Sequence, residues 1–305
     1  MVPWLEHPRY VPARERLIEY LRSDRYRFRR LAPVIFLCGG ANSERRATLR
    51  DYLRGHFPHL GLFYAERVWE HIASRTDRGA LKMEADLALL ADLVVIIVES
   101  PGTFTELGAF SLSDPLRAKL LAIVDRAYED DESFVTTGPL RWITMESRFA
   151  PPIYVSLDRI LEAADEVEDR LLRIPTSRAT KISDLAESPK HLLFFLCDLI
   201  AVIYPVTLEM IEYYLARIAP SILSSDIDVP TLVGLAVAME VLAVHSVTLE
   251  AGEVQVFSPS APNVLEHPFH HRKLLDLPSQ RAAHVSVLLA LPEARAVLAS
   301  LRSGS

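Results

Sequence analysis

An α/β fold is predicted for this chain: a parallel sheet covered on both faces by helices, followed by a smaller, mostly helical domain. Three features point to it. Apolar runs such as "APVIFLCGG", "LVVIIVE" and "KLLAIVD" alternate with amphipathic stretches, and runs apolar on both faces are what interior strands of a parallel sheet look like. Two of these runs break at glycine just before a helical pattern, at Gly39-Gly40 and at Pro101-Gly102, as strand-turn-helix units do. The composition then changes at "IPTSRATKISDLAESPK" (174–190), polar with proline near each end, which marks a domain boundary. With 305 residues, 50% of them hydrophobic, the chain is long enough for two cores.

Taken in order, residues 32–40 read as a buried strand and Ser43 to about Gly55 as a helix opened by a serine cap. "GLFYAERVWEHI" predicts a short strand and an ordinary amphipathic helix, near whose start Glu66 either sits on the surface or faces the pocket, and "LKMEADLALLAD" predicts a third helix. "LVVIIVE" is the most hydrophobic strand and so belongs at the sheet centre. A helix over "FTELGAFSL", the strand "KLLAIVD" (119–125), and a last strand with a long helix in "PIYVSLDRILEAADEVEDRLLRI" complete the domain. The expected organisation is a basic N-terminal arm at 1–30, an α/β domain at 31–175 and a helical domain at 176–305. In the last, apolar helical patterns span 190–203, 207–219 and 229–245, "VTLEAGEVQVF" (247–257) reads as a hairpin turning at Ala251-Gly252, and a final helix runs from about Ser279 to Leu301. Three helices followed by a hairpin is the order of a winged helix.

The net charge is −7, unevenly spread. Residues 1–30 carry eight Arg against four Asp/Glu, with "RYRFRR" at 25–30 interleaving aromatics and arginines. That segment suits either phosphate contacts or a solvated helix face with packed aromatic stems. Residues 151–305 hold 12 Lys/Arg and 19 Asp/Glu, and none of the cations falls between Arg217 and Arg272. A winged helix that reads DNA needs cations on its third helix and wing, so a docking role is expected for this domain before independent duplex binding. No run reaches the roughly 18 to 20 apolar residues of a membrane span, and the N-terminus lacks a signal-peptide pattern; a cytoplasmic protein without membrane association is expected. Cys38 and Cys197 stand far apart, and "HPFHH" (267–271) has only Glu266 beside it, so no metal site is expected.

In an open parallel sheet, ligands bind beyond the carboxyl ends of the strands. Glu99, Ser100, Pro101, Gly102 and Thr103 form such a loop. Cys38, Gly39, Gly40 and Asn42 end the first strand in the same style and supply an opposite wall. Gly102 suits a conformation closed to other residues and lets a ligand approach bare backbone. Thr103 as N-cap with Glu106 at the third helical position spells a T-x-x-E capping box, in which Glu106 folds back on the Thr103 amide. The other reading is chemical. The helix dipole favours an anionic carboxylate there, and such a group beside bare backbone suits attack on a developing sugar cation. Further along, Arg141 and Trp142 in "SFVTTGPLRWI" read either as pyrophosphate- and base-binding groups or as an ordered loop with its Trp packed on the sheet.

"ESPGTFTELGAF" resembles the Gly-Thr-x-x-Glu-(hydrophobic)-Gly signature of nucleoside 2-deoxyribosyltransferase-like domains, which have a Rossmann-like parallel sheet. "VIFLCGG" resembles their first strand, and "MEADLALLADLVVII" the helix leading into their central strand. The resemblance implies that Glu106 is the nucleophile toward the anomeric carbon and that Glu84 contacts the sugar. Across "IFLCGG", "ADLVVIIVESPGTFTELGAFS", "KLLAIVD" and "SFVTTGPLRWI", followed by a small helical domain, the chain is similar to effector proteins encoded beside bacterial retrons. This implies an anti-phage toxin that breaks N-glycosidic bonds, with NAD+ as substrate and no separate cofactor. It implies restraint by a reverse transcriptase and its RNA-linked single-stranded DNA, and a homo-oligomer, because the resembling transferases share residues across a subunit interface. The chain departs from the transferases in having Ser100 in place of an aspartate, with Glu99 adjacent, and Phe36 in place of a tyrosine, which favours hydrolysis over transfer. The alternatives are a nucleoside (deoxy)ribosyltransferase and a non-catalytic nucleotide sensor with a DNA-binding domain, in which Glu106 only caps its helix.

Overall fold

The computed structural model describes residues 2–23, 31–64, 66, 87–176, 181–224, 228–249, 252–260 and 277–303. They belong to two compact units, Ala32–Thr176 and Met1–Leu31 together with Ser177–Ser305. Helix α1 (Val11–Arg22) thus belongs to the second unit, although it precedes the first in sequence.

The α/β unit runs β1 (Val34–Cys38), α2 (Glu44–His56), β2 (Gly61–Phe63), β3 (Leu93–Ile97), α3 (Pro101–Leu112), α4 (Asp114–Arg117), β4 (Leu120–Asp125), α5 (Arg141–Glu146), β5 (Ile153–Val155) and α6 (Ala164–Leu171). Its five strands are all parallel in the order β2-β1-β3-β4-β5. Every residue of β1 and β3 is buried, which is why their sequences do not alternate. Ile35, Leu37, Val95, Ile97 and Leu121 pack in one core with Leu49 and Leu53 of α2 and Val167 and Leu171 of α6. Phe36, one residue out of phase, points to the opposite face, stacks on Phe63 at 4.8 Å and meets Phe110 of α3 at 6.4 Å. Strand alternation therefore sends α2 and α6 to one face and α3 to the other. Burying each such side chain stabilises the unit by roughly 1.5–3 kcal/mol.

In this unit two expected elements differ. The long helix after β5 starts as a 3-10 stretch, Leu157–Ala163, non-helical at Arg159, and becomes α-helical only at Ala164. Its buried residues, Leu157, Ile160 and Ala163, recur every third position, the period of a 3-10 helix. The "SFVTTGPLRWI" stretch is helical: a π-turn at Thr136–Leu140 containing Pro139 leads into α5, as expected where proline interrupts the regular ladder. Of the helix expected in "ERVWEHI" only Glu66 is described, and of that in "LKMEADLALLAD" the described residues 87–90 are helical.

The second unit adds α7 (Pro189–Ile203), α8 (Leu208–Ile218), α9 (Val229–Ala238), the antiparallel strands β6 (Leu242–Leu249) and β7 (Gly252–Pro259), α10 (Leu277–Leu289) and α11 (Pro292–Ser303). The helical pattern expected to 245 ends at Ala238, because Glu240 turns to φ 59° and the chain that follows extends into β6. The final helix is two helices, since Pro292 cannot continue α10. Residues 24–30, which include "RYRFRR", and residues 261–276, which include "HPFHH", lie outside the described residues. Among the described residues no single helix is long and apolar enough to cross a membrane.

Helix α1 is held by buried polar contacts. The Tyr10 hydroxyl lies 3.0 Å from that of Tyr214 in α8, and the His284 ring of α10 sits edge-on to Tyr10 at 5.9 Å. His284 Nδ1–H donates to the Gln280 carbonyl at 3.0 Å, and burial holds its imidazole below the usual histidine range. Above about pH 6.5 both folded and unfolded states carry a neutral ring. On acidification the unfolded state takes up a proton that the folded state resists, so stability falls as pH falls through that value. The unfolding midpoint of this unit is expected to be lower at pH 5.5 than at pH 7.5. In His284→Leu the pH difference should shrink; an unchanged pH dependence in that variant would assign the effect elsewhere.

Candidate active site

The strand order places a topological switch between β1 and β3, where Cys38 is in register with Ile96. The loops leaving these two strands diverge there, which opens a crevice at the carboxyl edge of such sheets. The two expected walls, 38–42 and 99–103, are therefore brought side by side. Glu84 lies outside the described residues.

On the β1 side, Cys38 is buried as the last strand residue. Gly40 and Ser43 close a turn, Ser43 N–H donating to Gly40 O at 3.1 Å, with Asn42 exposed at φ 56°, a left-handed conformation that asparagine tolerates. Ser43 then caps α2 by accepting from Arg46 N–H. Gly39 has no room for a side chain: a Cβ there would lie 2.8 Å from Arg46 Cδ, 3.0 Å from Arg46 Cβ and 3.2 Å from Glu99 Oε1. Arg46 cannot easily yield, because it is buried, donates to both oxygens of Glu66 at 2.8 and 3.1 Å, and lies over the Tyr64 ring at 4.4 Å. Gly39→Ala should lower the unfolding free energy of the α/β unit by about 1–3 kcal/mol, the usual cost of overpacking. Denaturant unfolding checks this, and Gly40→Ala, whose Cβ meets nothing closer than 3.5 Å, is the control.

On the β3 side, the expected capping box is corrected. Ser100, not Thr103, is the N-cap: its side chain accepts from Thr103 N–H at 3.3 Å, and Pro101 takes the first helical position. Thr103 is the third helical residue. Its buried hydroxyl accepts from Glu99 N–H at 3.0 Å and Ser100 N–H at 2.9 Å and donates to Ser100 O at 2.9 Å. Glu106 stands one turn later, outside the cap, so the expectation that it folds back on the Thr103 amide does not hold. The dipole effect expected for it also fades beyond the first turn. Helical spacing puts Glu106 on the inward stripe with Thr103, Leu107 and Phe110, half-buried, with Oε2 withdrawn from solvent. Gly102 does not need its conformational freedom: it lies in the first helical turn, exposed, and an added Cβ would meet only Ser100 Oγ at 3.7 Å.

Glu99 joins the walls. Its carboxylate, 6% exposed, accepts from Gly40 N–H through Oε1 at 2.9 Å and from Arg45 Nη1 through Oε2 at 3.1 Å. Arg45 also donates to Asp158 at 2.7 Å, and its hydrogen bonds to Asp158 and then Glu99 push its guanidinium above the usual arginine value. An open cleft of about 760 Å³ lies beside this group, lined by Ser43, Arg45, Thr48, Glu99, Leu157 and Asp158 among others. Glu106 is not among the residues lining it. Arg45, Arg46 and Asp158 were not expected at the site. The signal for the arginines is in the sequence: two cations in the first turn of α2 oppose the helix dipole, which calls for nearby carboxylates to hold them. Arg141 is exposed, and Trp142 is 42% exposed with the Arg117 guanidinium 5.3 Å from its ring. Neither belongs to these walls, and Trp142 is not packed into the sheet.

A family model described as "STM3845 retron effector protein" matches residues 42–243, about two thirds of the chain. Two Escherichia coli proteins are similar over a shorter stretch. One, named "Retron Ec73 putative ribosyltransferase/DNA-binding protein", is 35% identical over 122 residues, 37% of this chain and 39% of that protein. The Ec86 protein of the same description is 38% identical over 120 residues, 38% of this chain and 39% of its own length. The matched stretch thus spans about two fifths of each relative.

Proposed function

The chain belongs to the STM3845 retron effector family, and from that premise we propose that its α/β unit is an N-glycosidase acting on NAD+ or a related nucleotide, with Glu106 as the catalytic residue. The observation that carries this is the cap of α3: Ser100 and Thr103 close it between themselves, which leaves Glu106 no part in capping while helical spacing sets it on the half-buried stripe of α3. The carboxylate attacks C1′ of the ribose attached to nicotinamide. As the C1′–N bond breaks, its electron pair goes to the ring nitrogen, and nicotinamide leaves as a neutral molecule from a cationic linkage without needing a general acid. Water then attacks C1′ of the glycosyl ester, Glu106 departs as a carboxylate, and one proton goes to solvent. Cys38, Gly39, Gly40, Asn42, Ser100, Pro101, Gly102 and Thr103 form the binding walls, with Glu84 as a sugar contact. NAD+ is substrate here, and no further cofactor is required.

The naming of the two relatives as ribosyltransferases favours a second reading of the same chemistry, in which a free base replaces water as acceptor. Incubating the purified protein with NAD+, nucleosides and deoxynucleotides, with and without an added acceptor base, separates the two. Free nicotinamide at a rate indifferent to the acceptor is the expected result. Base exchange without net hydrolysis would establish transfer, and no base release from any of these substrates would overturn both readings. In the proposed role as a retron effector, the chain acts as a homo-oligomer and is restrained by a reverse transcriptase and its RNA-linked DNA. The second unit serves as the docking module: α9, β6 and β7 carry no Lys or Arg, which disfavours phosphate contacts there.

A further inference from the structure

We propose that Glu99 is a positioning residue: its buried carboxylate sets the distance between the two walls of the crevice and touches no substrate atom. This rests on the reading of the crevice as the reaction site. Both oxygens are already engaged, Oε1 by Gly40 N–H at 2.9 Å and Oε2 by Arg45 Nη1 at 3.1 Å. Its own backbone N–H is engaged by Thr103 Oγ1 at 3.0 Å. One residue thereby fastens the turn after β1, the first turn of α2 and the first turns of α3. The neighbouring backbone is shaped to admit it, since Gly39 leaves space where a Cβ would stand 3.2 Å from Oε1. The far end of the chain of contacts is weak by contrast. Asp158 is 86% exposed, so its pairing with Arg45 is screened by water, whereas the nearly buried Glu99 carboxylate depends on its two donors to remain inside.

A side chain that acts through backbone spacing has a different signature from one that holds substrate. Losing a charged acceptor should free the Gly40 amide, and Glu99→Ala is expected to speed its hydrogen exchange by about 10- to 100-fold, as removal of a charge-assisted bond does. Glu99→Gln keeps a carbonyl that can accept from Gly40 and should lie between wild type and Ala. Arg45→Met, which loosens only Oε2, should also speed Gly40 exchange, by less. In turnover, misplacement of one wall should lower kcat by on the order of 10- to 100-fold with KM little changed. The Glu99→Ala/Arg45→Met double variant should be no worse than Glu99→Ala, because both act through one contact chain.

Unchanged Gly40 exchange in Glu99→Ala would overturn the proposal, as would a KM that rises with kcat intact, the mark of a direct substrate contact. Should Glu99→Ala not fold, Glu99→Gln and Arg45→Met carry the same test, and Gly40 exchange unmoved in both would be equally decisive. If the wild-type protein releases no base from any nucleotide, the proposed activity fails, while the exchange measurement still decides whether Glu99 sets the wall.

Discussion

Glu106→Gln is expected to reduce base release by several orders of magnitude while leaving the α/β unit folded. Removing a covalent nucleophile commonly has an effect of that size, and the amide is nearly the same shape as the carboxylate. Capping cannot account for such a loss, because the cap of α3 is made by Ser100 and Thr103. A structural contribution of Glu106 would appear instead as a shift in the unfolding midpoint, and Gln, which retains one carbonyl oxygen, should keep that shift small. Two measurements on one variant therefore separate chemistry from structure: nicotinamide release from NAD+ and the midpoint of thermal unfolding. Release near the wild-type rate by the Gln protein would remove Glu106 from the mechanism. A comparison with Ser100→Ala sharpens the result. That change deletes the cap and should destabilise α3 by about 1 kcal/mol, yet it spares the proposed nucleophile and should leave far more activity than Glu106→Gln.

Much of the sheet was legible because β1, β3 and β4 are buried on both faces and written in uninterrupted aliphatics. The site was half legible. The switch-point walls followed from glycine after strand, and the Ser43 cap from its place before an amphipathic run. The cap of α3 is ambiguous in sequence because Ser100 and Thr103 are both good cap residues three apart. Pro101 holds the deciding signal, since proline favours the first helical position and so points back to Ser100. The end of α9 is hidden in sequence because Val241 to Val244 continue an apolar pattern that a helix and a half-buried strand share. Arg45 and Asp158 meet through a contact 113 residues apart in sequence, and no local pattern reports a pairing of that kind. The membership of α1 in the second unit is another long-range fact, carried by a buried stripe of Ala13, Leu17, Ile18 and Leu21 within a segment rich in arginine.

That membership carries a large expected effect: residues 177–303 expressed without the first 31 should fail to form a stable unit. Trp4, Leu5, Tyr10, Leu17, Ile18 and Leu21 are all buried, with relative exposures of 4% or less, and α1 packs against α8 and α10. At roughly 1.5–3 kcal/mol for each large apolar side chain, their removal takes away an amount comparable with the whole 5–15 kcal/mol by which domains are typically stable. The same cut strands a polar group, since the buried Tyr214 hydroxyl loses Tyr10. The truncated protein should show no cooperative unfolding transition and should be degraded rapidly in limited proteolysis, and adding a peptide of residues 1–31 should restore both properties. A cooperative transition close to that of the full chain, without the peptide, would show that α1 is an accessory and not part of the core. The result also governs how docking is assayed. A fragment lacking α1 would lose the proposed association with the reverse transcriptase through unfolding alone, so the informative variants keep both ends of the unit and change only surface residues of the hairpin, such as Glu253, which is exposed on β7 and bears none of the core.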